Sequence, residues 1–259
     1  MVSKLLAIAI ASLLGWTACL AQSDNALVDK SRQAPAVPEA PARALTPEER
    51  GDILMARKMY REAIETFQTD PHKNAILYNK IGIAYHQLQQ LDNARKYYER
   101  ALKENPQYPE ALNNLGTIAY ARKSYRKAIR YYKKALVLSP KSASIYSNLG
   151  TAFFARRKYK EATAAYQQAL VIDPDVFEHR SNFGTMLEDR NIEERAKFHY
   201  YLAKIYAKAG RDDLAMQYVR KALEEGFKDR NKLKDDPEFE TLRKLPEFQT
   251  LMTVEPRVL

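Results

Sequence analysis

The sequence repeats itself every 34 residues, and this period constrains the fold more than any other feature of the chain. Glycine recurs at this spacing at four positions, Gly82, Gly116, Gly150 and Gly184. Alanine, tyrosine and proline columns keep the same spacing: Ala94, Ala128 and Ala162; Tyr98, Tyr132 and Tyr166; Ala101, Ala135 and Ala169; Pro106, Pro140 and Pro174. Several independent columns that agree on one period indicate a repeat architecture, in which neighbouring copies supply one another's core.

The repeated segments resemble the tetratricopeptide repeat (TPR) family over about residues 44–229. The first half of each period reads KIGIAY, NLGTIAY, NLGTAFF or NFGTML, and the second half reads DNARKYYERALKENP, RKAIRYYKKALVLSP or KEATAAYQQALVIDP. The resemblance implies an all-α fold, a solenoid of antiparallel helix pairs (a TPR superhelix). It also implies that the first helices line a concave groove that binds a peptide or helix of another protein.

The chemistry of the columns explains them without the family. Glycine and alanine allow paired helices to approach closely, where a larger side chain would overpack by about 1–3 kcal/mol. The tyrosine column is expected to fill the space between pairs. Each proline stops the helix that precedes it, because the residue before a proline is disfavoured in the helical conformation.

The period divides the chain into a solenoid, residues 46–229, and flanking segments. The expected repeats are 44–74, 75–108, 109–142, 143–176, a partial copy at 177–195, and 196–229. The first copy is weaker, because Gly51 precedes Gly82 by only 31 residues. A long helix over about Ile192–Ala209 fits two roles, as the second helix of one pair or the first of the next, and the sequence leaves this pairing open.

Capping residues mark two helix starts. Thr46 with Glu49 forms a capping box, with Pro47 in the first turn, and Asn191 with Glu194 caps the long helix. Residues 230–259 are expected to form a C-terminal capping segment, with short helices that start near Pro237 and Pro246. The apolar side chains expected to cover the last repeat are Phe239, Leu242, Phe248 and Leu251.

The first 21 residues are typical of an export signal. Lys4 precedes an uncharged, mostly apolar run, Leu5–Ala21, which ends in small residues suited to cleavage after Ala21. A retained N-terminal anchor is an alternative, and lipidation of Cys19 is a third, although Trp16 fits that motif poorly. Residues 22–45 contain three spaced prolines, which favour a disordered, extended tether. The expected location is therefore periplasmic or in the cell envelope.

Two polar columns flank the glycines and are candidates for the peptide groove. An asparagine amide can both donate to and accept from peptide backbone, so a row of them can hold a guest of any sequence. The arrangement is similar to the asparagine ladder of other TPR proteins; the alternative is that it satisfies polar groups between the helices. The candidates are Asn114, Asn148 and Asn182; Thr117, Thr151 and Thr185; and Asn113, Tyr120 and Phe154.

The charge is concentrated in the central repeats. Residues 75–176 hold 17 basic and 7 acidic side chains, which accounts for the whole formal net charge of +10. A basic patch is predicted, most of it on or beside the second helices, formed by Lys96, Arg100, Arg122, Lys123, Arg126, Lys127, Arg130, Lys133 and Lys134. It is either an ordinary solvated face or a site for anionic lipid head groups or an acidic protein; nucleic acid is not expected.

Catalysis is not expected. The chain has one cysteine and four scattered histidines, so no metal site is predicted, and the repeat accounts for most of the glycines, which leaves no phosphate-binding loop. No cofactor is implied. The predicted function is a non-enzymatic interaction scaffold in the cell envelope. The alternatives are a lipid-anchored pilotin or assembly lipoprotein for secretion or pilus biogenesis, and a peripheral binder of anionic membranes.

Overall fold

Every regular element that the structure describes is a helix. The structure, a computed structural model, describes residues 43–178 and 191–253. Contacts divide the chain into two units, Met1–Ala44 and Leu45–Leu259, and all of these helices belong to the second. The helices are α1 (Pro47–Ala56), α2 (Tyr60–Gln68), α3 (Ala75–Gln87), α4 (Leu91–Glu104), α5 (Pro109–Ala121), α6 (Tyr125–Leu138), α7 (Ala143–Ala155), α8 (Tyr159–Ile172), α9 (Ile192–Lys208), α10 (Asp212–Glu224), α11 (Arg230–Asp235), a 3-10 helix η1 (Pro237–Phe239), α12 (Glu240–Arg243) and α13 (Pro246–Thr253).

The helices pack as successive hairpins. The paired helices are α1 with α2, α3 with α4, α5 with α6, α7 with α8, and α9 with α10. Neighbouring pairs contact each other through α2 and α3, α4 and α5, and α6 and α7. The predicted all-α solenoid of helix pairs is therefore confirmed.

Glycine makes room for an aromatic ring inside each pair. A Cβ atom on Gly150 would lie 2.5 Å from Cε1 of Tyr166, whose side chain is fully buried. The same contact recurs between Gly82 and Tyr98. The tyrosine column thus lies between the two helices of one pair, which refines the expectation that it fills the space between pairs.

The predicted caps are present at both helix starts. The Thr46 side chain accepts a hydrogen bond from the Glu49 N–H at 3.1 Å, and the Glu49 carboxylate accepts one from the Thr46 N–H at 2.8 Å. Asn191 Oδ1 accepts from the Glu194 N–H at 2.8 Å. These bonds satisfy N–H groups that the first turn of a helix leaves without a partner.

Helix α9 takes the role of a first helix. It pairs with α10, as α3 pairs with α4, and it also contacts α8. The Phe198 ring lies 5.3 Å from that of Phe154 and 5.8 Å from that of Tyr166, centroid to centroid. The aromatic side chains of α9 thus join the core of the α7–α8 pair to the core of the α9–α10 pair.

The C-terminal segment covers the last pair. The side chains of Phe239, Leu242 and Phe248 are buried in one cluster with residues of α9 and α10, whereas Leu251 is only partly buried. The two short helices expected near Pro237 and Pro246 are present. Helix α11 precedes them and was not predicted; its Leu233 is fully buried in the same cluster.

Candidate functional site

The first helices of adjacent pairs form one continuous face, here called the first-helix face. Helix α3 contacts α5 directly, and α5 contacts α7. Equivalent positions on these helices are exposed at the N-terminal end and half-buried one turn later. The exposed positions are Ile76, Glu110 and Ser144, and the half-buried ones are Lys80, Asn114 and Asn148.

The asparagines of this face bind each other across the pairs. Asn114 Nδ2 donates to Asn79 Oδ1 at 2.9 Å, and Asn148 Nδ2 donates to Asn113 Oδ1 at 3.0 Å. In each case the residue two positions before the glycine binds the residue three positions before the glycine of the preceding pair. The bonds therefore form a ladder that runs along the stack.

Lys80 occupies the same rung in the first full repeat. Its Nζ lies 2.8 Å from Glu48 Oε1 and 2.6 Å from Asp52 Oδ2, both on α1. Glu48 stands three positions before Gly51, so it is the counterpart of Asn79 and Asn113. Partial burial lowers the pKa of Lys80, but hydrogen bonds from Lys80 to Asp52 and Glu48 outweigh this effect and raise it overall. The sequence interpretation began the ladder at Asn114, whereas the structure extends it by one charged rung.

Each ladder asparagine keeps part of its hydrogen-bonding capacity. Asn148 uses one N–H in the ladder, and among the described residues nothing donates to its Oδ1 or to that of Asn114. An amide offers two N–H donors and one carbonyl acceptor, so each of these side chains retains one donor and one acceptor. Both are half-buried rather than enclosed. The predicted Asn182 and Thr185 lie outside the described residues.

The threonine side chains form hydrogen bonds with core tyrosines and do not line a groove. Tyr166 Oη donates to Thr151 Oγ1 at 3.1 Å, and Thr151 donates in turn to the Ser147 carbonyl at 3.0 Å. Thr151 is only 2% exposed. Thr117 repeats this arrangement, since it accepts from Tyr132 at 3.3 Å. The prediction that these threonines line the groove is corrected, because their hydroxyls are partners for buried phenols.

The first full repeat lacks this partner. Ile83 stands where the other repeats have threonine, and Tyr98 Oη is buried without a hydrogen-bond partner among the described residues. Burial raises the pKa of Tyr98 and that of Tyr132 above the ordinary value for tyrosine. The residue at this one position, threonine or isoleucine, therefore determines whether the buried tyrosine hydroxyl has a hydrogen-bond partner.

Two further groove candidates lie in or beside the core. Phe154 is 3% exposed and contacts the rings of Phe198 and Tyr159, so its assignment to the groove is corrected. Tyr120 is half-buried, and its ring lies 5.2 Å from that of Tyr125. Asn113 is the acceptor of the ladder bond from Asn148.

The structure exposes the side chains of the predicted basic patch. All nine residues are exposed at the surface. Arg122 forms an ion pair with Asp92 at 2.6 Å, which lowers the pKa of that carboxyl group. Arg100 lies over the Tyr97 ring at 4.9 Å.

The described ranges contain neither a metal-binding cluster nor a membrane-spanning helix. Residues 43–178 and 191–253 contain no group of three histidine, cysteine, aspartate or glutamate side chains placed to hold a metal ion. No helix in these ranges is both long and apolar enough to cross a bilayer. Cys19 lies outside them.

The chain belongs to the tetratricopeptide repeat family. One tetratricopeptide repeat model matches residues 79–143, 113–176 and 181–229, and a second matches residues 43–103. The matched segments include the ladder and the tyrosine column described above.

Named relatives match over less than a third of this chain. The uncharacterized protein ycf37 of Guillardia theta is 40% identical over 78 residues, which is 27% of this chain and 44% of that protein. The photosystem I assembly protein Ycf3 of Sorghum bicolor is 35% identical over 89 residues, 31% of this chain and 51% of that protein. The chain thus spans about half the length of these relatives, or less.

Two solved structures are similar to this chain at low sequence identity, and this similarity concerns the fold only. A chain of the APC/C hetero-tetramer Cut9–Hcn1 aligns with a TM-score of 0.50 and 18% identity, over 80% of this chain and 35% of that one. MamA aligns with a TM-score of 0.46 and 21% identity, over 71% of this chain and 96% of that one.

Proposed function

We propose that this chain is a non-enzymatic scaffold that binds a peptide or helix of another protein on its first-helix face. Membership of the tetratricopeptide repeat family supports an interaction role. The observation that carries the proposal is the ladder, because its bonds hold Asn114 and Asn148 in fixed positions on adjacent helices while leaving each side chain partly exposed.

The ladder supports binding by preorganisation. A free asparagine side chain loses rotamer freedom when it grips a guest, whereas Asn148 is already held by Asn113. Its remaining N–H donor and carbonyl acceptor match the two polar groups of a peptide unit. The exposed Glu110 and Ser144 lie one turn before the asparagines and add contacts that depend on the guest's sequence. The contact set is therefore the ladder and these exposed positions, without the threonines or Phe154.

The proposed setting is an exported assembly. The apolar run Leu5–Ala21 supports export, and a mature N-terminus at Gln22 would establish a cleaved signal. A blocked, lipidated Cys19 would instead support an envelope assembly lipoprotein. The similarity to a Sorghum protein named as a photosystem I assembly protein supports an assembly role in general.

Site-specific photo-crosslinking in cells tests the proposal. A photoreactive amino acid replaces Glu110 or Ser144 on the first-helix face, and Gln217, exposed on α10, is the matched control. The expected result is one discrete partner adduct from both face positions that is absent from the control. Asn114→Ala with Asn148→Ala should then weaken the adduct in a chain that remains folded by circular dichroism. Adducts of equal yield from all three positions would contradict the proposal.

A further inference from the structure

A second surface, formed by the second helices, combines exposed cations with exposed apolar side chains that the groove does not explain. On α6, Arg126, Arg130, Lys134 and Val137 recur every three or four residues and so share one outward stripe. All four are exposed. The equivalent stripe on α4 contains Lys96 and Arg100, and that on α8 ends in Val171. We call these seven residues the second-helix face.

The cations of this face have no anionic partners in the described part of the chain. Helix α6 contains five basic and no acidic side chains. Within residues 43–178 and 191–253, no carboxylate lies within ion-pair distance of Arg126, Arg130 or Lys134, in contrast to Arg122, which is paired with Asp92. Long side chains held by no internal ion pair are available to an external anion.

Apolar side chains continue the same stripe. Val137 is 81% exposed and Val171 is 78% exposed, the highest values among the large hydrophobic side chains described. Leu138 and Ile172, at 37% and 36%, adjoin them. The two apolar pairs stand at the ends of α6 and α8, one repeat apart. On α6 the pair follows Arg130 and Lys134, whereas α8 has Ala164 and Gln168 at those positions. Scattered single hydrophobic residues would show no such repetition.

We propose that the second-helix face docks on the surface of a bilayer that contains anionic lipids. Arginine and lysine pair with the lipid phosphates, while Val137 and Val171 enter the boundary between head groups and acyl chains. Protein interfaces usually centre on aromatic anchors that fill pockets, and none of the large exposed hydrophobic residues in the described part of the chain is aromatic. These features favour a lipid surface over an acidic protein. The inference is independent of the proposed function, because it concerns the opposite helices of each pair.

Vesicle sedimentation with the full chain tests this proposal. Vesicles of phosphatidylcholine mixed with phosphatidylglycerol are compared with vesicles of phosphatidylcholine alone, so that membrane binding by the apolar run Leu5–Ala21 is common to all samples. The face variant is Arg126→Gln, Arg130→Gln and Lys134→Gln. The control variant, Arg50→Gln, Lys208→Gln and Lys234→Gln, removes the same charge from exposed sites that are not on the second helices of the pairs α3 to α8.

The face variant should lose about tenfold or more in partition onto anionic vesicles, because each basic residue near such a surface contributes appreciably to binding. The control should stay within about twofold of the parent. Val137→Ser with Val171→Ser should also weaken anionic binding, by several-fold. An equal loss in both charge variants would overturn the proposal, since only net charge would matter. Unchanged binding of the valine variant would also overturn it and would indicate a site for a soluble polyanion or an acidic protein.

Discussion

The ring of Tyr132 lies against the backbone of Gly116, so closely that a Cβ atom on the glycine would lie 2.4 Å from Cε1 of the ring. Real Cβ atoms are essentially never found so close to another heavy atom. Tyr132 is fully buried, so its ring has no free space into which it can move. The helix pair therefore depends on the absence of a side chain at this position.

Gly116→Ala should lower the free energy of unfolding by about 2 kcal/mol, because the new methyl group overpacks the contact with Tyr132. Ala164, exposed in the middle of α8, provides the control: Ala164→Gly should cost about 1 kcal/mol through helix propensity alone. Urea denaturation measures both. A stability gain for Gly116→Ala would show that propensity outweighs packing here. Tyr132→Leu in the same chain should relieve part of the overpacking.

Removal of a phenol hydroxyl should have opposite effects at two equivalent positions. Tyr98→Phe should leave stability unchanged or raise it by about 1 kcal/mol, because it removes a buried group that has no partner. Tyr166→Phe should lower stability by about 1 kcal/mol, because it removes the bond to Thr151. Thermal and urea unfolding report both changes. Equal losses at the two positions would mean that Tyr98 is satisfied in solution.

The ladder should appear as an energetic coupling between two repeats. Asn113→Ala and Asn148→Ala remove opposite ends of one hydrogen bond, so their effects on unfolding should be non-additive by about 1 kcal/mol. The pair Asn113→Ala and Asn114→Ala is the control, because these adjacent residues belong to different rungs. Additivity of the first pair would show that the bond does not stabilise the stack.

The turn between the two helices of a pair offers a stabilising substitution. Gln89, Lys123 and Arg157 each have φ between 57° and 59°, in the left-handed region, and the last pair has Gly210 there with φ 71°. Lys123→Gly should raise stability by a few tenths to about 1 kcal/mol, because glycine adopts this conformation without a steric penalty. Gly210→Ala should have the opposite effect. Differential scanning calorimetry would detect both, and a loss of stability in the lysine variant would refute the expectation.

Alkaline pH should destabilise the fold through its buried phenols. The pKa values of Tyr98 and Tyr132 are raised by burial, so the folded chain keeps these protons when the unfolded chain releases them near pH 10. The contribution of these two tyrosines to stability should thus be constant below about pH 10 and should be lost as the pH rises further. Phenolate absorbance and circular dichroism, recorded together, should show these tyrosines ionising only as helix is lost. Full ionisation of all tyrosines before any helix is lost would contradict this.

The candidate functional surface was less predictable than the fold. The position of Asn148 on a first helix follows from its distance to Gly150, and the structure places it on the expected helix. Its ladder bond to Asn113 links side chains 35 residues apart. No local pattern predicts that an asparagine two positions before one glycine binds the residue three positions before the preceding glycine. One signal was present in the sequence: Glu48 and Lys80 are complementary charges at the same two positions of consecutive repeats.

The periodic columns were enough to predict a helical solenoid and its repeat length, and two local capping motifs were enough to predict the caps at Thr46 and Asn191, because small residues, rings and caps act through contacts close along the chain. The packing of the helices against one another determined three further features. These are the burial of Thr151, the hydrogen bond between Asn113 and Asn148, and the exposure of Val137. The physical reason is that periodicity specifies where a side chain stands on its own helix. The neighbour that it meets depends on the offset and angle between helices, which all the core contacts set together.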